Sequence, residues 1–65
     1  MNLSKYLWKN VELKSTNGKT WIGFVCDFIE AEDNESGYDG ITLDINDGNL
    51  WGFDEPEIVS IKIID

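Results

Sequence analysis

The sequence has no histidine, no arginine, one cysteine, one proline and no long apolar run. Without histidine, the chain lacks the usual neutral-pH proton shuttle and the commonest zinc ligand, and a Ser-His-Asp or Cys-His arrangement is impossible within one chain. A single cysteine cannot form an internal disulfide, which favours a reducing compartment, most simply the cytoplasm. No segment approaches the roughly 20 apolar residues of a membrane-spanning helix. We therefore expect a cytoplasmic protein that is not an enzyme and that holds no metal and no cofactor.

The 65 residues allow a single small domain, residues 1–65, and 42% of them are hydrophobic, which suits a folded chain and not a disordered acidic tail. The net charge of −8 is unevenly distributed. Residues 1–26 carry a net charge of +3, whereas residues 27–57 contain eleven acidic residues and no lysine. Because affinity for nucleic acid depends largely on Lys and Arg at phosphates, this distribution makes nucleic acid an unlikely partner.

Alternating apolar and β-branched segments, separated by turn residues, predict an all-β domain. The predicted strands are residues 11–14, 20–29, 41–45, 50–53 and 58–64, preceded by a short helical turn over residues 5–8. We expect Ser4 to cap this turn. Asn17-Gly18 is the strongest hairpin signal, and a second tight turn is expected at residues 46–49, including Asp47. Gly23 lies inside the long second strand, where a bend or bulge is expected.

Several short motifs follow one another in an order known from small barrels. They are Lys9-Asn10-Val11, Asn17-Gly18-Lys19, the strand residues Trp21, Gly23 and Val25, and the closing apolar residues Ile58, Ile61 and Ile63. In these motifs the chain resembles the Sm and Sm-like family over residues 3–64. The resemblance implies a strongly bent five-stranded Sm-like or SH3-like barrel with a short N-terminal helical turn. It also implies ring assembly, in which strands four and five of neighbouring copies join.

Two turns depart from the family's RNA-binding pattern. Sm proteins that bind RNA carry an Asp and an Asn in the turn between the second and third strands, and a basic residue beside Gly in the turn between the fourth and fifth. Here the segment 30–34 does not keep that spacing, and the segment 54–57 is acidic and has no arginine. The resemblance therefore implies the fold without the RNA site.

Other groups with chemical potential are given structural interpretations. The acidic segment 30–39 lacks the regular ligand spacing of a calcium loop and is expected to be solvated. No cationic neighbour in the sequence activates Cys26, which is expected to be a buried structural thiol. Trp21 is expected in the core, and Trp8 is expected to cover one end of it. The candidate core residues are Trp21, Phe24, Val25, Phe28, Ile41, Leu43, Ile58, Ile61 and Ile63.

The hypothesis for function is a protein-contact surface centred on Trp51 and Phe53, with an acidic rim formed by Asp54, Glu55 and Glu57. Residues two apart on a strand share a face, so Trp51 and Phe53 point the same way. They form an outward pair if the core lies on the opposite face, and they belong to the core otherwise. An outward pair normally marks a contact site.

The partner on this reading is a second copy of the chain or a basic protein. Two other readings remain open. One is a divergent RNA-binding Sm-like protein that uses Lys14 and Lys19 with aromatic residues of the second strand. The other is an acidic mimic of nucleic acid that inhibits a basic enzyme.

Overall fold

The computed structural model describes residues 2–46 and 48–64 and confirms an all-β fold. The strands are β1 (Asn10–Ser15), β2 (Thr20–Ile29), β3 (Gly40–Asn46), β4 (Asn49–Asp54) and β5 (Ile58–Ile63). Three short 3-10 helices lie at Leu3–Tyr6, Ala31–Asp33 and Glu55–Glu57. Each strand agrees with its predicted range to within one residue at either end, because turn residues bound every apolar segment.

The strands form one antiparallel sheet in the order β4-β3-β2-β1-β5, so β4 and β5 are its edges. Phe53 on β4 and Ile58 on β5 are nevertheless buried in the same core cluster. Side chains from opposite edges meet in this way only if the sheet curves around its inner face. The result is a small β-barrel-like domain with extents of 28 × 22 × 20 Å.

The core is formed by the inward residues of all five strands and by two residues of the first 3-10 helix. Its buried members are Leu3, Tyr6, Val11, Leu13, Val25, Ile41, Leu43, Phe53 and Ile58, with Leu7, Trp21, Phe28, Ile45 and Ile61 packed against them. Two predicted core residues lie elsewhere. Phe24 pairs with Asn10 and Asp44 on the outer face of the sheet, and Ile63 is exposed near the end of the edge strand β5.

A bend or bulge was expected at Gly23. The register between β2 and β3 shifts instead between Val25 and Asp27. Cys26 falls in this bulge and is half-buried, with its thiol 3.6 Å from the Thr42 carbonyl oxygen. Gly23 has another role. A Cβ at this position would lie 2.8 Å from the Asp44 carbonyl oxygen, so glycine permits β3 to approach β2 closely.

The N-terminal turn begins earlier than predicted. Asn2, and not Ser4, caps the 3-10 helix, because the Asn2 side chain accepts a hydrogen bond from the Ser4 backbone N–H at 3.3 Å. The earlier start directs Leu3 and Tyr6 into the core.

Trp8 therefore lies beyond the helix, and the prediction that it covers one end of the core is wrong. The residue is 62% exposed, has a φ of 67° and packs on Phe24 with ring centroids 6.2 Å apart. Its backbone N–H donates to the Val25 carbonyl oxygen at 2.9 Å, an arrangement that leaves the ring on the outer face.

The hairpin between β1 and β2 turns at Gly18, whose φ of 85° confirms the positive-φ position predicted for the Asn-Gly turn. Gly48, with a φ of 88°, serves the turn between β3 and β4. Asp47, which was expected in that second turn, lies outside the described residues.

Candidate interaction surface

The predicted aromatic pair on β4 does not face outward as a unit. Trp51 and Phe53 do share one face, but it is the inner face, since they pair in register with the buried residues Leu43 and Ile41. Phe53 is only 7% exposed, so the expectation that it contributes to an outward aromatic pair is wrong. Leu50 is the residue whose side chain occupies the outer face of β4. Trp51 itself remains 50% exposed.

Trp51 keeps one side on the protein and the other in solvent. Its ring lies 4.9 Å from that of Trp21, centroid to centroid, with an interplanar angle of 38°. Phe53 contacts Trp21 edge-on at 5.7 Å. Lys19 places its ammonium group 6.0 Å from the Trp21 ring centroid. Trp21, which contacts Phe53 and Lys19 as well, supports the indole of Trp51, and a preorganised aromatic side chain is the type of residue that dominates protein contacts.

Trp21 is the residue of this cluster that the sequence analysis did not connect with the surface. It lies on β2, which is separated from β4 by β3, so no local pattern relates Trp21 to Trp51. Its indole Nε1 is buried and has no hydrogen-bond partner within residues 2–46 and 48–64. An unpaired buried donor lowers the stability of the fold, so this nitrogen is a local cost within the aromatic contact.

The three predicted rim carboxylates lie in and beside the 3-10 helix that follows β4. Asp54 and Glu57 form a capping box, in which the Asp54 backbone N–H donates to Glu57 Oε1 at 2.9 Å. Asp54 Oδ1 also accepts from Asn34 Nδ2 at 2.8 Å. Glu55 is half-buried, and its backbone N–H donates to the Asp39 carbonyl oxygen at 2.9 Å. These acidic residues therefore shape the end of β4 in addition to contributing charge.

The same hydrogen bonds join the two acidic segments of the chain, 30–39 and 54–57, at one end of the barrel. The acidic segment 30–39 is not wholly irregular, because it contains the 3-10 helix Ala31–Asp33 and a bond from the Ala31 N–H to Asp39 Oδ1 at 2.9 Å. Glu32, Asp33 and Glu35 are exposed. Within the part of the chain that the structure describes, no group of three or more His, Cys, Asp or Glu side chains is arranged to hold a metal ion.

The candidate surface consists of the exposed half of Trp51 and the two sheet edges, β4 and β5. The Ile64 N–H donates to the Asn10 carbonyl oxygen at 2.9 Å. Because backbone groups alternate in direction along a strand, those of Ile63 and Ile61 face away from β1. Both edges also carry exposed apolar side chains, namely Leu50 and Trp51 on β4 and Val59 and Ile63 on β5. Exposed edges of this kind are templates for pairing with another strand.

None of the helices among the described residues has the length and apolar character needed to cross a membrane. Comparisons of the chain with protein-family models, curated proteins and solved structures find no match.

Proposed function

We propose that this chain is a non-catalytic interaction module that associates with further copies of itself, the β4 edge of one copy pairing with the β5 edge of the next. The observation that carries the proposal is the open sheet order, which leaves both β4 and β5 as edges that display exposed apolar residues. Each copy then contributes its β4 edge to one neighbour and its β5 edge to another. Such a heterologous contact closes into a ring or continues as a filament.

The two edges differ in a way that favours pairing between β4 and β5 over pairing of like edges. β4 runs into the acidic residues Asp54, Glu55 and Glu57, whereas β5 contains no acidic residue and carries Lys62. Lys62 lies 3.5 Å from Glu12 in an exposed pair, and exposed pairs are weak enough to exchange partners. Two β4 edges brought together would instead place acidic residues on both strands of the contact and no lysine on either.

Trp51 is the expected anchor of this contact. Half of its surface is available, and its inner side is held by Trp21 at 4.9 Å. A neighbouring strand at the β4 edge would cover the exposed half of the indole. Main-chain hydrogen bonds along the edge would supply affinity, and the covered side chain would supply specificity.

The resemblance to the Sm and Sm-like family supports the same arrangement, because that family joins strands four and five of neighbours in rings. The acidic turns argue against carrying over its RNA site. A single half-buried thiol, Cys26, suits a reducing compartment, and we propose the cytoplasm. A basic protein that occupies the β4 edge is the main competing partner.

Sedimentation velocity over a series of concentrations tests the proposal. We expect the wild type to form a concentration-dependent assembly and Trp51→Ala to shift it towards the monomer while circular dichroism shows an intact fold. Tyr38→Ala is the matched control, since Tyr38 is 52% exposed but lies in the loop before β3. It should associate like the wild type.

A wild-type chain that stays monomeric at every concentration would refute self-association and would favour a basic protein as the partner at the β4 edge. A folded Trp51→Ala variant with unchanged association would remove Trp51 from the interface. The variant Ile63→Pro probes the other edge, because it deletes an N–H that faces away from β1. It should reduce association to a similar degree.

A further inference from the structure

The Asn17-Gly18 turn between β1 and β2 has a chemical liability that is independent of the proposed assembly. When glycine follows asparagine, the glycine nitrogen can attack the side-chain amide carbon, since no Cβ shields that nitrogen. Both residues are exposed, and a Cβ built at Gly18 would meet nothing within 4 Å. Solvent therefore reaches the atoms that would react.

The fold holds these atoms in an unreactive arrangement centred on Ser15, which is buried at the end of β1. The Gly18 N–H, whose nitrogen would be the nucleophile, donates to the Ser15 carbonyl oxygen at 3.0 Å. The carbonyl oxygen of the Asn17 side chain accepts from the Lys19 N–H at 3.1 Å and from the Ser15 hydroxyl group. Attack by the Gly18 nitrogen requires the first of these bonds to break and the Asn17 side chain to turn out of the other two.

We propose that Asn17 is a latent deamidation site whose reaction is suppressed by the native turn, with Ser15 as the residue that holds it closed. In the reaction, a bond forms between the Gly18 nitrogen and Asn17 Cγ. The bond from Cγ to Nδ2 breaks, and ammonia leaves with the proton of the Gly18 N–H. Water then opens the resulting cyclic imide at either carbonyl, which yields aspartate or isoaspartate. Water is the only co-reactant.

The product changes a turn on which other contacts depend. Either product adds one negative charge, and isoaspartate also inserts a methylene group into the backbone. The Ser15 N–H donates to the Lys19 carbonyl oxygen at 2.9 Å, so the turn length fixes the position of Lys19. The ammonium group of Lys19 in turn lies over the Trp21 ring at 6.0 Å. Modification at Asn17 therefore loosens the first hairpin and the cation–aromatic contact beside the candidate surface.

Peptide mapping by mass spectrometry tests the proposal during storage in mildly alkaline buffer. In the wild type, deamidation at Asn17 should be slower by about ten-fold or more in the folded chain than in the same chain unfolded by urea, because it must await local opening. Ser15→Ala keeps the backbone carbonyl and removes only the hydroxyl donor. We expect it to deamidate about two- to ten-fold faster than wild type when folded, as loss of one hydrogen bond allows.

The peptide containing Asn34-Glu35 is the internal control, because a glutamate after asparagine hinders the same attack. It should stay intact in the wild type and in Ser15→Ala. Equal or faster deamidation of the folded wild type relative to the unfolded chain would overturn the proposal without reliance on any variant. A folded Ser15→Ala chain that deamidates at or below the wild-type rate would also overturn it, since the two donors would then activate the amide.

Discussion

Adding one methyl group at Gly23 is expected to destabilise the domain, although alanine is otherwise at least as acceptable as glycine in a strand. Gly23 lies in the middle of β2, is buried and pairs with Val11. A Cβ at this position would lie 2.8 Å from the Asp44 carbonyl oxygen and 3.3 Å from both the Asp44 carbonyl carbon and Ile45 Cα. All three are backbone atoms of β3. They cannot rotate away as a flexible side chain would, so β3 itself must move.

The magnitude follows from two opposing effects. Overpacking of a well-packed core costs about 1–3 kcal/mol. Gly→Ala also lowers the conformational entropy of the unfolded chain, which stabilises the folded state by about 0.4–1 kcal/mol. Taking the middle of each range, the expected net loss for Gly23→Ala is about 1–2 kcal/mol, out of about 3–10 kcal/mol for a domain of this length. At about 4–8 °C per kcal/mol, the melting temperature should fall by about 4–16 °C.

Gly52→Ala is the matched control, because Gly52 also lies inside a strand but a Cβ there would meet nothing within 4 Å. This substitution should leave stability unchanged or raise it by up to about 1 kcal/mol. Thermal melts and urea titrations followed by circular dichroism measure both variants, with equal m-values as the check that they share one denatured state. If Gly23→Ala melts at or above the temperature of Gly52→Ala, the close approach of β3 to β2 is not a constraint on the sequence.

Two further predictions concern the residues beneath and beside the candidate surface. Phe53→Ala should cost about 3–5 kcal/mol and leave much of the chain unfolded at room temperature, since Phe53 is a buried core aromatic, whereas the half-exposed Trp51 tolerates the same change. Denaturant titration measures the free energy of unfolding of both variants, and equal losses in Phe53→Ala and Trp51→Ala would contradict the assigned burial. Asn34→Ala removes the 2.8 Å bond to Asp54 and the 2.9 Å bond to the Tyr38 carbonyl oxygen, and it should cost about 1–2 kcal/mol. Backbone amides of residues 30–39 and 54–57 should exchange faster in this variant than in the wild type. Unchanged exchange would mean that Asn34 does not join the two acidic segments.

The sequence by itself determined the elements that depend on neighbouring residues. Strand ranges follow from alternation and bounding turn residues, so all five were predicted to within one residue. Gly18 was predicted at positive φ because the Asn-Gly pair is a local signal. The pairing of Trp51 and Phe53 on one face follows in the same way from the two-residue period of a strand. These properties require no knowledge of how the sheet curves.

Only the tertiary structure decided which face of each strand is inside. Period-two alternation gives two faces and leaves open which one meets the core, so Phe53 became a core residue and Leu50 a surface residue once β4 paired with β3. The N-terminal helix is capped by Asn2 and ends at Tyr6, so Trp8 lies beyond it and is exposed. The contact between Trp21 and Trp51 joins strands that are not neighbours in the sheet. Curvature of the sheet creates that contact, and curvature is the summed effect of many non-local contacts.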